Sequence, residues 1–216
     1  RHMGHGMVKK SDGSKMSSRS GIVLTGEGLL DEVKVSIYDV LDKNKSNYSK
    51  EDREEIAEKA AVAAVKYSLL RVSLPSDVAF DLKTSVSFDG DSGPYLLYTY
   101  ARCQSVLRKA SDQPSDIQSL ALNSKLSFVG MNAEEKSIAR LIGYFPDIVA
   151  AAASDYAPNV VCTYLFDLAQ AFNGFYQKHS ILDGQSKAFR LQLTAATAQV
   201  LKNGLNLLGI GTVERM

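Results

Sequence analysis

Cysteine is nearly absent. Cys103 and Cys162 are the two in 216 residues, too few and too far apart for a disulfide framework or a zinc site. Both fall at apolar positions of helical patterns, so they read as buried thiols in a reducing compartment. An excess of one charge is missing too. With 25 Lys and Arg against 24 Asp and Glu the formal net charge is +1, so there is no global basic field, and any nucleic-acid role must rest on local patches. No apolar run approaches the roughly 20 residues of a membrane span, and the N-terminal stretch lacks the hydrophobic core of a secretory signal. A cytoplasmic protein with no membrane partner is expected. Also absent are a Ser-His-Asp order, a His-rich metal spacing, a GxGxxG fingerprint and a P-loop. No metal site is expected.

What is there is an ordinary globular composition, 45% hydrophobic, sufficient for one large or two small domains. Arg1 is not an initiator, so the chain is expected to be a piece of something longer. The stretch from Gly93 to Lys109, GPYLLYTYARCQSVLRK, organises the rest. Pro94 is tolerated in a first helical turn, and Leu96, Tyr100, Cys103, Leu107 and Ala110 then share one face, which wants a core. The opposite stripe is Tyr98, Arg102, Ser105 and Lys109. An aromatic ring and two cations in a row suit an extruded base or a phosphate, although an amphipathic helix with a solvated outer face has the same pattern.

Residues Arg1 to Gly28 are rich in Gly, Ser and Lys and read as loop, with a short strand at Ile22 to Leu24. Within them, Lys15-Met16-Ser17-Ser18-Arg19 packs cations, hydroxyls and backbone amides as a polyphosphate requires. A first helix is predicted from Leu29 to about Lys43, with Leu30, Val33, Ile37 and Leu41 inward. Ser49 and Asp52 form a capping-box pattern for a second helix, whose stripe is Ile56, Ala60, Ala63, Tyr67 and Leu70 and which ends before Pro75. Asp77 to Phe88 reads as a short strand or extended connector, and FDGDSGP as a loop. Asn132 with Glu135 opens another helix, which Pro146 kinks or restarts. Val161, Leu165, Leu168, Phe172 and Phe175 give the clearest helical stripe in the chain. Asn173 and Tyr176 lie beside it, and His179 at its end reads as structural. A last helix from about Lys187 is stopped by Gly209. The second half is thus predicted to be a bundle of four or five helices.

Several stretches taken together resemble the arginyl-tRNA synthetases, which are class I aminoacyl-tRNA synthetases. KMSSRSG at Lys15 to Gly21 is similar to that family's KMSKS signature, and IVLTGEGLLDEV resembles its continuation. GPYLLYTYARCQSVLRKA, YLFDLAQAFNGFY and the ending GLNLLGIGTVERM resemble segments of the family's helical domain. The resemblance implies a mainly α chain: the KMSKS-loop end of a Rossmann-type catalytic domain over 1–92, then an all-helical anticodon-binding domain of the DALR type over 93–216.

The chemistry it implies is ligation of arginine to its tRNA through arginyl adenylate, with ATP and Mg2+ as cofactor, in a monomer. Lys15, Ser17, Ser18 and Arg19 would assist departure of pyrophosphate, and Lys15, Met16, Ser18 and Arg19 would hold the nucleotide. Ser18 stands where the signature has its second lysine; Arg19, or a lysine outside this chain, is expected to supply the missing cation. Tyr98, Arg102, Lys109, Asn173, Tyr176 and Met216 are expected to contact tRNA. No HIGH signature is present, so the chain alone is expected not to activate arginine. The alternative is a freestanding helical RNA-binding or scaffold protein derived from a synthetase.

Overall fold

Alanine decides how the middle of the chain packs. In the computed structural model, which describes residues 4–10, 13–14, 25–43, 48–111 and 130–216, helix α2 (Lys50–Leu70) buries Ile56, Ala57, Ala60, Ala61, Ala63, Ala64 and Tyr67. Small side chains let neighbouring backbones approach closely, and α4 (Gly93–Ser111) exploits this at its first residue. A Cβ on Gly93 would lie 2.2 Å from the Ala63 carbonyl oxygen, so only glycine fits there. The start of α2 is fixed by Ser49, whose side chain accepts the Asp52 N–H at 3.0 Å, while Glu51 and Asp52 favour the positive end of the helix dipole.

Around this pair the described residues form five further helices. Helix α1 (Gly26–Lys43) packs on α2 through Val33, Ile37 and Leu41, and α3 (Leu82–Ser85) is a single turn capped by Asp81. Helix α5 (Ala133–Asp155) opens with a complete capping box: Asn132 accepts the Glu135 N–H at 2.8 Å and Glu135 accepts the Asn132 N–H at 3.0 Å. Helix α6 (Pro158–Lys178) buries the whole predicted stripe of Val161, Leu165, Leu168, Phe172 and Phe175. Helix α7 (Lys187–Leu207) packs on α4, α5 and α6 and closes the bundle. Gly209 follows at φ +68°, a left-handed turn that ends the helix as predicted. The architecture is mainly α, and one apolar core runs from α1 to the segment after α7.

Four expectations change. Asp77 to Phe88 is not extended throughout, because after Val78–Phe80 the Asp81 cap turns Leu82–Ser85 into a helical turn. Residues 1–28 are not all loop, because β1 (Val8–Lys10) pairs in parallel with β2 (Val78–Phe80) in the register Val8↔Val78. A partner seventy residues away leaves little local signature. Helix α1 starts at Gly26 rather than Leu29, because Thr25 caps it by accepting the Gly28 N–H at 3.0 Å. Helix α5 continues through Pro146, which lies on its exposed side, so the proline does not restart it, and the helix ends at Tyr156 in a left-handed conformation, φ 54°. The predicted strand at 22–24 and the loop Lys15–Arg19 lie outside the described residues. Among the described residues no helix is long and apolar enough to cross a membrane.

Candidate nucleic-acid interface

Tyr98 and Arg102 are four residues apart on α4, so they stand one above the other on the same face. The Arg102 guanidinium carbon lies 4.7 Å from the centre of the Tyr98 ring and 4.9 Å from that of Tyr176 on α6. A delocalised cation thus faces two aromatic rings, each contact worth about 0.5 to 1 kcal/mol at a partly exposed site. Arg102 also donates to the Tyr98 hydroxyl at 3.0 Å and to the Asn173 side-chain oxygen. Asn173 in turn donates to the Tyr95 hydroxyl and to Thr99 Oγ1, both at 2.9 Å.

This network explains which residues are covered. Thr99 and Asn173 are buried, Tyr98 and Arg102 are half-buried, and Tyr176 is 39% exposed. The sequence-predicted Tyr98, Arg102 and Tyr176 therefore converge on one point. Asn173 sits beneath them with both ends of its amide committed to protein partners. Tyr98 is braced on its other side by an edge-on contact with Phe88, ring centres 6.3 Å apart. Tyr176 leans on Phe172 at 6.4 Å.

Two cavities open on either side of the guanidinium. One, of about 1100 Å³, lies between α1, α3 and α4, with Asp39, Asp81, Lys83 and Asp89 on its rim. The other, of about 630 Å³, lies between α4, the end of α6 and the loop after it, with Arg108, Lys109, Asp183 and Arg215 on its rim. Tyr98, Arg102 and Met216 line both. Lys109 is exposed at the far end of the second cavity, as predicted for the outer stripe. His179 also borders that cavity, its ring 5.5 Å from Phe175 and 3.4 Å from both Asn132 and Glu134.

Met216 reaches this place because the preceding residues are held against α2 and α4. Ile210 and Val213 are buried, Lys59 donates to the Thr212 carbonyl at 3.0 Å, and Lys66 donates to the Gly209 carbonyl. Glu214 accepts from the Tyr100 hydroxyl at 2.9 Å and from the Gln104 amide at 2.8 Å, while its carbonyl accepts from Arg108 at 2.8 Å. Burial first, and the Glu214 carboxylate second, push the Tyr100 hydroxyl pKa up. Tyr95, Thr99, Tyr100, Gln104, Arg108 and Glu214 carry no signal in the sequence that marks them for this site, beyond the shared helical face of Tyr95, Thr99 and Arg102.

The thiols behave as the sequence implies. Cys103 and Cys162 are fully buried, and burial holds the Cys162 thiol up at about 12 and raises Cys103 as well, so neither is poised as a nucleophile. Among the described residues no group of three His, Cys, Asp or Glu side chains is arranged to hold a metal ion.

Residues 96–216 match the DALR anticodon binding domain, and residues 1–82 match the catalytic domain of class I (R) tRNA synthetases. The arginine–tRNA ligase of Clostridium botulinum (strain 657 / Type Ba4) is 38% identical over 219 residues, covering all of this chain and 37% of the relative. An arginyl-tRNA synthetase from Thermus thermophilus superposes with a TM-score of 0.83 at 25% identity, over 98% of this chain and 35% of that one. The Plasmodium falciparum enzyme shares the fold, with a TM-score of 0.75 at 23% identity over 99% of this chain and 35% of its own. The chain belongs to the arginyl-tRNA synthetase family, as a portion that carries the DALR anticodon-binding domain. It spans about 37% of the length of the curated relatives it matches.

Proposed function

We propose that the chain is the anticodon-reading portion of an enzyme that attaches arginine to its tRNA at the expense of ATP, and that the Tyr98–Arg102–Tyr176 cradle is where an unstacked base docks. The observation that carries this reading is the guanidinium fixed between two tyrosines at the wall shared by two open cavities. RNA sequence is read mainly from splayed bases that stack on aromatic or guanidinium planes and bond along their edges. Each such stack contributes about 1 to 3 kcal/mol. Tyr98, Arg102, Tyr176 and Met216 would meet the base, Lys109 the adjoining phosphates, and Asn173 would act from beneath by fixing Arg102.

The division of the chain follows the same reading: 1–92 as the end of the catalytic domain and 93–216 as the anticodon domain. Lys15, Met16, Ser17, Ser18 and Arg19 would serve ATP, which supplies the energy of adenylate formation. Their donor set of two cations and two hydroxyls suits phosphate oxygens, and pyrophosphate leaves more readily where such charge is fixed in advance. A cytoplasmic enzyme acting as a monomer is part of the proposal. The test is to titrate the chain with an RNA stem-loop bearing an arginine anticodon and with one altered at the central base. Tighter binding of the first is expected, and equal weak binding of both would remove the reading. Arginine-dependent pyrophosphate exchange by this chain alone would refute its assignment as a non-catalytic portion.

A further inference from the structure

Two faces of α4 do different work. Tyr98, Arg102 and Lys109 border the cavities, while Tyr100, Gln104 and Arg108, successive at four-residue intervals and the last of them also on the rim of the second cavity, all bond to one residue more than a hundred positions further along the chain, Glu214. The carboxylate takes a hydrogen bond on each oxygen, and the backbone carbonyl of the same residue takes a third. Two residues beyond, Met216 lines both cavities beside Tyr98 and Arg102. Upstream, Val213 is buried and the Thr212 carbonyl is held by Lys59. Glu214 therefore fastens the segment by hydrogen bonds two residues before Met216, which itself packs against the core.

We propose that Glu214 is a positioning residue for RNA recognition: its clasp on Tyr100 and Gln104 sets Met216 against the Arg102 cradle and so completes the surface on which a base packs. The proposal rests on the reading of that cradle as the base site. It explains why a carboxylate occurs at this place. Burying the Tyr100 hydroxyl without an acceptor would cost free energy, and two bonds to rigidly held donors on one helix fix the direction of the chain more tightly than apolar contact alone. Tyr100 is 1% exposed, so it has no access to a bound RNA. Any effect of its hydroxyl on binding must travel through its partners, Glu214 and Gln104 among them.

The experiment uses the whole chain and the arginine-anticodon stem-loop, with the thermal midpoint recorded beside the affinity. Glu214→Ala is expected to weaken binding about tenfold, and Tyr100→Phe, which keeps the ring in place, about threefold; Glu214→Gln, whose amide still offers an acceptor and a partner for Gln104, is expected to stay within about twofold of the parent. In a Met216→Ala background the Glu214→Ala change should cost affinity little more, because coupled residues are not additive. A purely structural role would leave the Glu214→Ala loss undiminished in that background, and this result overturns the proposal. Tyr98→Ala separates the two readings. If it weakens binding while Glu214→Ala and Tyr100→Phe do not, the clasp alone is wrong; if Tyr98→Ala binds like the parent, the base site fails and the clasp with it.

Discussion

The cavity on the α1 side of Arg102 and the cavity on the α6 side share a wall and differ in charge. On the first rim Asp39, Asp81 and Asp89 outnumber Lys83. On the second Arg108, Lys109 and Arg215 outnumber Asp183. A chain whose formal net charge is +1 thus places opposite excesses of charge on two cavities that share the Arg102 guanidinium. Composition alone argues against a polyanion ligand; the local separation removes that objection. A phosphodiester backbone would lie along the second rim, where cations face it, with one base turned in toward the tyrosines. The carboxylates of the first rim would turn the backbone away.

Removing the shared wall breaks the comparison most severely. Arg102→Ala abolishes both ring stacks and strands the Asn173 oxygen, so a loss of stem-loop affinity of roughly a hundredfold is expected, as for a buried interface hot spot. The same change should lower the stability of the chain by about 1 to 3 kcal/mol, because a buried acceptor loses its donor. Denaturant melts beside the titration would check this, and unchanged affinity would show that the guanidinium is a packing element only. Tyr176→Ala comes next. The ring is 39% exposed and rests on Arg102 and Phe172, so its loss should lower stability by only about 1 kcal/mol while costing about 1 to 3 kcal/mol of binding. A large stability loss with intact affinity would make Tyr176 a core residue.

Much of this site is legible in the sequence, for a local reason. Tyr98, Arg102 and Lys109 lie on one helix, and helical spacing alone puts them in a row. The α6 stripe from Val161 to Phe175 is legible in the same way, and all five residues are buried. The convergence of Tyr176 on Arg102 is not legible, since it depends on how α6 crosses α4. Neither are the role of Asn173, joined to Arg102 across 71 positions, nor the hold of α4 on Glu214. The β1 pairing escapes a sequence reading because a three-residue strand with a distant partner has no periodicity to read. Of the two alternatives at Pro146, a kink or a restart, the restart fails because the helix continues on both sides of the proline. The Lys15–Arg19 loop lies outside the described residues, and its assignment stands on the resemblance and on its donor chemistry.

The smallest expected effects sharpen the comparison between the two rims, because they differ in sign. Lys109→Ala on the cationic rim should weaken stem-loop binding modestly and reduce the slope of log affinity against log salt by about 0.7, the value for one phosphate contact on a single strand. Asp89→Asn on the acidic rim removes a negative charge, of the same sign as the RNA phosphates, from the cavity that shares Arg102. It should raise affinity by less than about threefold at low salt, since charge pairs in contact with solvent are worth at most about 1 kcal/mol, and added salt should erase even that. Titrations of both variants at two salt concentrations measure the pair. If Asp89→Asn weakened binding instead, the Asp89 carboxylate would be accepting a bond from the RNA. The polynucleotide would then cross Arg102 and occupy both cavities, and the contrast of charge would mark two sites for two bases rather than a ligand side and an excluded side.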